Sequence, residues 1–274
     1  TVKSSWVLCN RERTREEVEV QDALEEKLWS IGQELRYYRG KMLFYTADLP
    51  FPVPQAPDVF TQYRKETEKV VSVRDPVASP AEIPSDLDGS FKGEPSARED
   101  LSNARTQNIL DECAAFTFPG GESAALGRLH EYIWKTEAIA TYKKTRNELL
   151  GPNFSSKFSA YLAQGCLSPK MIYKEVEKFE KQVAKNKSTY WMKFELMWRD
   201  FYRLMAKKYK DKIFHVSGPK KTAPEAMSEN WDHFEAWAEG RTGIPFIDAN
   251  MREINATGYM SNRGRQNVAS YLIK

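Results

Sequence analysis

One segment near residue 195 combines an acid, an arginine and several aromatic side chains at helical spacing. Trp191, Glu195, Trp198, Arg199 and Tyr202 are separated by four, three, one and three positions, which places all five on one face of an α-helix. A carboxylate and a guanidinium flanked by tryptophans are costly to bury without a ligand, so this face suits a site for an aromatic molecule. In the simpler interpretation, Glu195 and Arg199 form a solvated ion pair worth about 0.3 kcal/mol and the aromatic residues belong to the core.

A loop rich in hydroxyl groups precedes another helical segment. Ser155, Ser156 and Ser159 follow a Gly-Pro turn at 151–152, and Tyr142 lies upstream of that turn. Hydroxyls and free backbone N–H groups at such a helix start can hold an anion such as a diphosphate. The alternative is an ordinary helix N-cap.

A third polar segment lies near the end of the sequence. Asn262, Arg263, Arg265 and Gln266 surround a glycine at a predicted helix start. Two arginines in this arrangement form a local cationic surface that suits one or two phosphates. A solvated basic turn is the alternative interpretation.

The composition narrows the class of protein. Of 274 residues, 41% are hydrophobic and 12% aromatic, which is ample for a packed core, and the net charge is only +3. Nucleic-acid contacts would therefore have to come from local clusters. Cys9, Cys113 and Cys166 lie far apart, which argues against a disulfide framework or a metal site and fits a reducing intracellular compartment. No stretch approaches the ~18 apolar residues of a membrane span.

The first part of the chain has an α/β pattern. Residues 5–9 are predicted to be a buried strand and Met42–Tyr45 a second strand, while Val18–Leu35 and Val59–Val70 have helical spacing. This alternation favours parallel strands. Because two strands are too few for a stable sheet, we interpret residues 1–73 as part of a doubly wound α/β domain.

The rest of the chain divides into a linker and a helical part. Residues 74–104 are rich in proline and polar residues, as linkers are, and helical patterns dominate residues 105–274. The apolar pattern runs to Lys274 without a cap, so we expect the helical domain to be incomplete at that end. The main helix predictions are Leu126–Tyr142, Pro169–Val183, Thr189–Tyr209, Trp231–Glu239 and Asp248–Ala256.

These segments resemble the photolyase/cryptochrome family, most closely its DASH subgroup. The resemblance rests on the runs Phe194–Phe201, Gly243–Ala249 and Thr257–Arg265, together with the loop at residues 151–159 that carries the three serines (the serine loop). Gln266 and Tyr259 stand where conventional photolyases often have Met and Trp, and they are the DASH-like residues. The resemblance implies a partial α/β antenna domain, a mostly α-helical FAD-binding domain, and single-stranded or locally unpaired DNA as the partner of a metal-free monomer.

The resemblance also assigns roles to individual residues. Glu195 and Trp198 would be catalytic, because the acid would donate to a pyrimidine carbonyl of a DNA lesion and the indole would stack beside it. The residues that would bind FAD are Tyr142, Ser155, Ser156, Ser159, Trp191, Arg199 and Asn262. The residues that would contact DNA are Glu195, Trp198, Tyr259, Asn262, Arg263, Arg265 and Gln266.

The family pattern extends past both ends of this sequence. We expect a chain truncated at both ends, without the first strands of the antenna domain and the last helices of the FAD-binding domain. The implied folate antenna, 5,10-methenyltetrahydrofolate, would therefore have an incomplete domain. Trp231 is the nearest candidate for an outer electron-transfer tryptophan, although Met227 occupies the aligned position and Trp237 follows sooner than usual.

Three functions are consistent with these residues. The first is a light-driven, FAD-dependent photolyase that repairs cyclobutane pyrimidine dimers in single-stranded DNA. The second is a flavin-binding blue-light photoreceptor without repair activity, and the third is an inactive fragment with weak nucleic-acid binding. The presence of Glu195 favours the first, because a sensor has no need of an acid against a pyrimidine carbonyl.

Overall fold

The computed structural model describes residues 5–82, 114–219 and 230–273. Most of the predicted linker, the start of the predicted helical part, Cys113 and Met227 lie outside these ranges. The chain forms two compact units, which we call the first and second units. The first consists of Thr1–Ser79, Gly121–Ala140 and Phe158–Ala226, and the second of Pro80–Gly120, Thr141–Lys157 and Met227–Lys274. The domain boundaries expected near residues 73 and 105 remain a prediction.

The first unit contains two parallel strands joined by a helix. Strand β1 spans Trp6–Asn10, helix α1 spans Arg15–Ser30 and strand β2 spans Glu34–Tyr38. The strands pair in parallel with Val7 opposite Leu35, as the alternation of elements predicts. They are the only two strands in the part of the chain that the structure describes.

Three details of this α/β segment differ from the predictions. The predicted helix does not reach Leu35, because the chain turns at Gly32, whose φ is +73°, and Leu35 lies in β2. The predicted buried strand is wrong about burial, since Trp6 is 54% and Leu8 59% exposed. The predicted strand at Met42–Tyr45 is also wrong. Leu43 and Phe44 are buried, but the backbone of this segment forms hydrogen bonds with a side chain rather than with a neighbouring strand.

That backbone is held by an acid far along the chain. The N–H groups of Leu43 and Phe44 donate to the carboxylate oxygens of Asp200, each at 2.9 Å. Both apolar side chains are buried. The segment is therefore an irregular buried turn rather than a strand.

The other helices follow the predicted pattern closely, with one exception. The predicted helix Leu126–Tyr142 is interrupted, because a π-helical turn at Glu131–Lys135 and a 3-10 turn at Ala138–Thr141 replace its second half. In chain order the helices are α2 (Phe60–Val70), α3 (Glu122–His130), α4 (Tyr142–Thr145), α5 (Ser159–Gln164), α6 (Pro169–Gln182), α7 (Lys187–Tyr209), α8 (Trp231–Ala238), α9 (Pro245–Thr257) and α10 (Asn262–Ile273).

Each unit has its own buried residues. In the first unit, the largest fully buried side chains come from α2, α6, α7, the π-helical and 3-10 turns and the buried turn at residues 42–45: Leu43, Tyr63, Tyr132, Ile133, Ile139, Ile172, Val176, Phe179 and Leu204. In the second unit, a smaller cluster from α9 and α10 contains Ile247, Met251, Met260 and Val268, with Trp237 packed against it. These cores fix the helices that carry the predicted site residues.

Candidate functional site

Helix α7 carries the predicted catalytic residues, and its start is fixed by a capping box. The side chain of Asn186 accepts hydrogen bonds from the N–H groups of Ser188 at 2.7 Å and Thr189 at 3.1 Å. The Thr189 hydroxyl in turn accepts from the Asn186 N–H at 3.1 Å. These reciprocal bonds satisfy backbone donors that the first helical turn leaves unpaired. The helix then continues for 23 residues through the acid and the tryptophans.

The predicted face of α7 does bring its acid and aromatic rings together. The Trp191 indole N–H donates to Glu195 Oε1 at 3.1 Å. One turn later, the Trp198 ring stacks on Phe60 with a centroid separation of 3.6 Å and on Tyr202 at 5.4 Å. Phe60 is a residue that the sequence analysis missed. It lies at the start of a predicted helix, but only the tertiary packing of α2 on α7 gives it a role.

Arg199 does not have the simple surroundings that the ion-pair interpretation requires. Its guanidinium donates to the backbone carbonyl of Lys41 and, at 3.4 Å, to that of Leu162. Burial holds the pKa of Arg199 below its ordinary value, and Arg203 acts in the same direction. The side chain is therefore anchored by backbone acceptors within the first unit. Ser159 is the first residue of α5, the helix that contains Leu162, and it is exposed.

The remaining predicted flavin-loop residues belong to the second unit. Tyr142 is buried at the start of α4, and Ser155 and Ser156 are half-buried. The Thr145 hydroxyl donates to the Phe154 carbonyl at 2.8 Å, which ties the loop back to α4. The hydroxyl-rich segment is thus a defined loop rather than an extension of α5.

The predicted basic segment forms the first turn of α10 in the second unit. The Arg263 guanidinium donates to Asn147 Oδ1 and to Gln266 Oε1, both at 2.9 Å. Arg265 Nε donates to the Met260 carbonyl at 3.1 Å, and Asn262 begins the helix. These bonds engage the guanidinium groups of both arginines, and Arg265 is nevertheless exposed at the surface.

The close approach of α9 to α10 depends on one glycine. A Cβ built on Gly264 would lie 2.0 Å from Asn250 Oδ1 and 2.9 Å from Met260 Cγ. Any larger residue would therefore have to displace the side chains of Asn250 and Met260. The glycine between the arginines therefore has a packing role that the sequence analysis did not assign.

Trp231 lies at the start of α8 and is 70% exposed. Its ring lies 5.6 Å from Phe234, whose ring lies 5.7 Å from Trp237. A role for Trp231 in electron transfer remains a prediction.

The residues predicted to hold FAD have suitable chemistry. Within the first unit, Ser159 supplies a hydroxyl, Arg199 a cation and Trp191 a ring. Within the second unit, Tyr142, Ser155, Ser156 and Asn262 supply hydroxyl and amide groups. Hydroxyls, amides and a guanidinium are the groups that bind a diphosphate and the polar edge of a flavin. The donor set fits FAD.

Other kinds of site are not indicated. Across residues 5–82, 114–219 and 230–273, no cluster of His, Cys, Asp and Glu has the makings of a metal site. Within the same ranges, no helix has both the length and the apolar character that crossing a bilayer requires. Cys9 and Cys166 are free thiols.

Comparisons with known proteins show which family this chain is similar to. Residues 191–274 match the family model described as the FAD binding domain of DNA photolyase. The chain is 43% identical over 263 residues to cryptochrome DASH of Gloeobacter violaceus, covering 96% of this chain and 52% of that protein. It is also 43% identical over 277 residues to cryptochrome DASH of Xenopus laevis, covering 98% and 51%.

A solved structure shows the same fold over almost the whole chain. A Synechocystis cryptochrome superposes with a TM-score of 0.82 at 39% identity, covering 98% of this chain and 55% of that one. The chain thus spans about half the length of the relatives that it matches. Over that half, in sequence and in fold, the chain is similar to members of the photolyase/cryptochrome family, among them proteins named cryptochrome DASH.

Proposed function

We propose that this chain carries the lesion-binding and flavin-binding part of a light-driven, FAD-dependent photolyase that repairs cyclobutane pyrimidine dimers in single-stranded DNA. The observation that carries the proposal is Glu195, whose carboxylate is held by the Trp191 indole at 3.1 Å beside the ring stack of Trp198. A purely light-sensing protein would gain nothing from an oriented acid at this place. The substrate, the reaction and the preference for single strands all rest on this proposal.

Trp198 would orient the dimer, and Glu195 would stabilise the charge that develops on it. A dimer has two fused pyrimidines that cannot stack normally in a strand, so it leaves the stack at a lower cost than an intact base. The Trp198 ring, which stacks on Phe60 and Tyr202 in the free protein, would exchange one of these contacts for the dimer. Glu195, as the neutral acid, would donate its O–H to a pyrimidine carbonyl, where negative charge accumulates after electron gain. A group aimed at that developing charge in a desolvated site can lower the barrier by several kcal/mol.

Bound reduced FAD would supply the electron on light excitation and would take it back once the two pyrimidines have separated. The residues of this chain would hold the cofactor by their own chemistry: hydroxyls of Ser155, Ser156 and Ser159, the phenol of Tyr142 and the guanidinium of Arg199. Asn262 would supply an amide. Arg263 and Arg265 would contact phosphates of the DNA strand.

The test compares Glu195→Ala with Glu195→Gln and with Glu148→Gln, which changes an exposed acid elsewhere. The purified chain is first examined for bound flavin by its absorption between about 350 and 500 nm. Repair of a single-stranded oligonucleotide with one thymine dimer is then followed under blue light, and oligonucleotide binding is followed in the dark.

We expect Glu195→Ala to slow repair by about tenfold to a hundredfold, because a hydrogen bond to a charged group is lost at the reacting carbonyl. Glu195→Gln should restore part of the rate, since its amide can still donate. Glu148→Gln should behave as wild type. Wild-type repair by Glu195→Ala would contradict the catalytic role. A flavin-loaded chain that binds but never repairs the dimer would favour the photoreceptor function.

We further propose that the crevice at the carboxyl end of β1 accepts a folate antenna. This crevice has a volume of about 720 Å³, and its rim carries the cations Arg11, Arg13 and Lys207 together with the acids Glu12, Glu19 and Asp211. Burial and neighbouring arginines lower the pKa of Arg13, as expected where cations crowd without enough counter-charge. Ligands of α/β folds bind at the carboxyl ends of parallel strands, and a folate carries carboxylates.

The antenna proposal is tested by titrating 5,10-methenyltetrahydrofolate and following its fluorescence. Arg13→Gln should weaken binding by about fivefold to tenfold, because one charge-assisted contact is lost. Lys65→Gln, at an exposed position of α2, should leave binding unchanged. Equal affinity for wild type and Arg13→Gln would place the antenna elsewhere.

A further inference from the structure

Lys157 is a buried cation in the second unit. The residue is 3% exposed, and its Nζ donates to the phenol oxygen of Tyr259 at 3.0 Å. The same nitrogen lies 4.8 Å from the centroid of the Tyr259 ring. A buried ammonium is costly unless neighbouring groups compensate it. The contact with Tyr259 is therefore part of the packed interior rather than a chance approach of a surface lysine.

The backbone at Lys157 supports this interpretation. Its φ is +60°, in the left-handed region that residues with a side chain rarely adopt. Such conformations persist where the surroundings hold them, and they concentrate at functional positions. The hydrogen bond to Tyr259 is one contact that can hold Lys157 in place.

Tyr259 is itself fixed at several points. It follows Gly258, whose φ of +69° ends α9, and its backbone N–H donates to the Thr257 hydroxyl at 3.1 Å. Its ring lies 5.3 Å from Phe118. The phenol hydroxyl is the end of the side chain farthest from these supports, and Lys157 holds that end.

The acid that faces Lys157 is Glu253 of α9. Burial raises the pKa of Glu253, while the charge of Lys157 lowers it. Its Oε1 is buried and has no hydrogen-bond partner among the residues that the structure describes. Glu253 thus balances the buried ammonium electrostatically, without a direct ion pair that would draw Lys157 away from the tyrosine.

From this geometry we infer that Lys157 is a positioning residue, which acts on DNA recognition through Tyr259. The ammonium fixes the phenol so that the ring has one orientation before DNA arrives, and ordering it then costs no further entropy on binding. This inference rests on the proposed function, because Tyr259 recognises a dimer only if the chain binds one. The fixed orientation itself is a property of the free protein.

Two measurements distinguish the orientation of Tyr259 in the free protein from its effect on DNA recognition. NMR of the chain labelled in its tyrosine rings reports the environment of Tyr259, whose signal is assigned by its loss in Tyr259→Phe. Fluorescence anisotropy in the dark reports the affinities for a single-stranded oligonucleotide with one thymine dimer and for its undamaged counterpart. The variants are Lys157→Met, Lys157→Arg, Tyr259→Phe and the double variant Lys157→Met/Tyr259→Phe. Lys144→Met removes an exposed lysine from the same unit as the matched control.

We expect Lys157→Met to shift or broaden the Tyr259 ring signal and to reduce the preference for the dimer by about fivefold to tenfold. Affinity for undamaged DNA should stay within twofold. Tyr259→Phe should lose a similar factor, and the double variant should be no worse than either single one, because both remove the same bond. Lys157→Arg should recover part of the preference, and Lys144→Met should match wild type.

An unchanged Tyr259 signal in folded Lys157→Met would overturn the positioning role, whatever the DNA data show. So would losses that multiply in the double variant, or an equal loss for damaged and undamaged DNA. If the wild type does not distinguish the dimer at all, the proposed function fails, and the NMR comparison still decides whether Lys157 fixes the tyrosine.

Discussion

Asp200 is completely buried, yet it lies directly beside a site residue on α7. Its two carboxylate oxygens accept from the backbone N–H groups of Leu43 and Phe44. Burial raises the pKa of Asp200 to about 7, although these two hydrogen bonds act in the opposite direction. The acid therefore couples the placement of the buried turn, and of the neighbouring Arg199, to protonation.

The sign of the pH dependence follows from that raised pKa. The folded protein keeps a proton on Asp200 up to about pH 7, whereas the unfolded chain releases it near pH 4. Between these values the native state binds more protons, so this residue makes the free energy of unfolding fall as pH rises from about 4 to 7.

We expect Asp200→Asn to remove this slope and to destabilise the protein by about 1–3 kcal/mol, because an amide can accept only one of the two backbone N–H groups well. Urea unfolding at pH 5 and pH 7.5 measures both effects. The exposed substitution Asp211→Asn is the control and should change neither. A slope that is identical in wild type and Asp200→Asn would show that Asp200 does not titrate in this range.

Residue-level prediction from the sequence succeeded where the partners are close along the chain. Trp191, Glu195 and Trp198 lie on one helix, so their spacing alone placed them on one face. Phe60 and Lys157 were missed because their partners lie far away in sequence. Lys157 was visible only as one residue of the serine loop, and nothing in that context indicates a left-handed backbone.

At the scale of elements, the same distinction holds. Helix α7 was predicted to within two residues at its start, since its periodicity and polar cap are local features. The strand predicted at Met42–Tyr45 was wrong, because an apolar run signals burial but not the partner of its backbone. The partner here is a carboxylate on α7 rather than a neighbouring strand.

Two glycines in helices, Gly264 and Gly127, are expected to respond in opposite ways to substitution by alanine. Gly264→Ala in α10 would force a methyl group against Asn250 and Met260. We expect a loss of about 1–3 kcal/mol, because the packed side chains of Asn250 and Met260 must be displaced. Gly127→Ala in α3 meets no atom within 4 Å and should stabilise the protein by up to about 1 kcal/mol, since alanine favours helix.

Thermal unfolding of the two variants measures this difference. Under the proposed function, Gly264→Ala should also weaken DNA binding, because α10 carries Asn262, Arg263 and Arg265, the proposed DNA contacts. Similar melting temperatures for the two variants would mean that α9 and α10 are not held by close contact at Gly264.

At the scale of the whole molecule, the first unit exposes apolar side chains on one strand. Trp6 and Leu8 alternate along β1, so they share a face of the sheet, and they are 54% and 59% exposed. Trp29, at the end of α1, is 78% exposed. Clustered exposed apolar groups next to a strand promote association between chains.

In contrast to the monomer that the family resemblance implies, we therefore expect this chain to self-associate at micromolar concentrations and to bind a hydrophobic dye. The double substitution Trp6→Thr/Leu8→Thr should reduce both, as measured by sedimentation velocity and by dye fluorescence. Val77→Ser, which removes an isolated residue that is 96% exposed, is the control. Equal self-association in all three proteins would assign it to another surface.

The bond between Leu43 and Asp200 also has a consequence for biosynthesis. The two residues are 157 positions apart, and ribosomes add about 5–20 residues per second. Leu43 and Phe44 must therefore wait roughly 8–30 s after leaving the peptidyl-transferase centre before their acceptor exists. During that interval, two side chains that are buried in the folded protein are exposed to water. The nascent chain therefore offers chaperones a transient binding site. This site is lost once α7 has emerged from the exit tunnel.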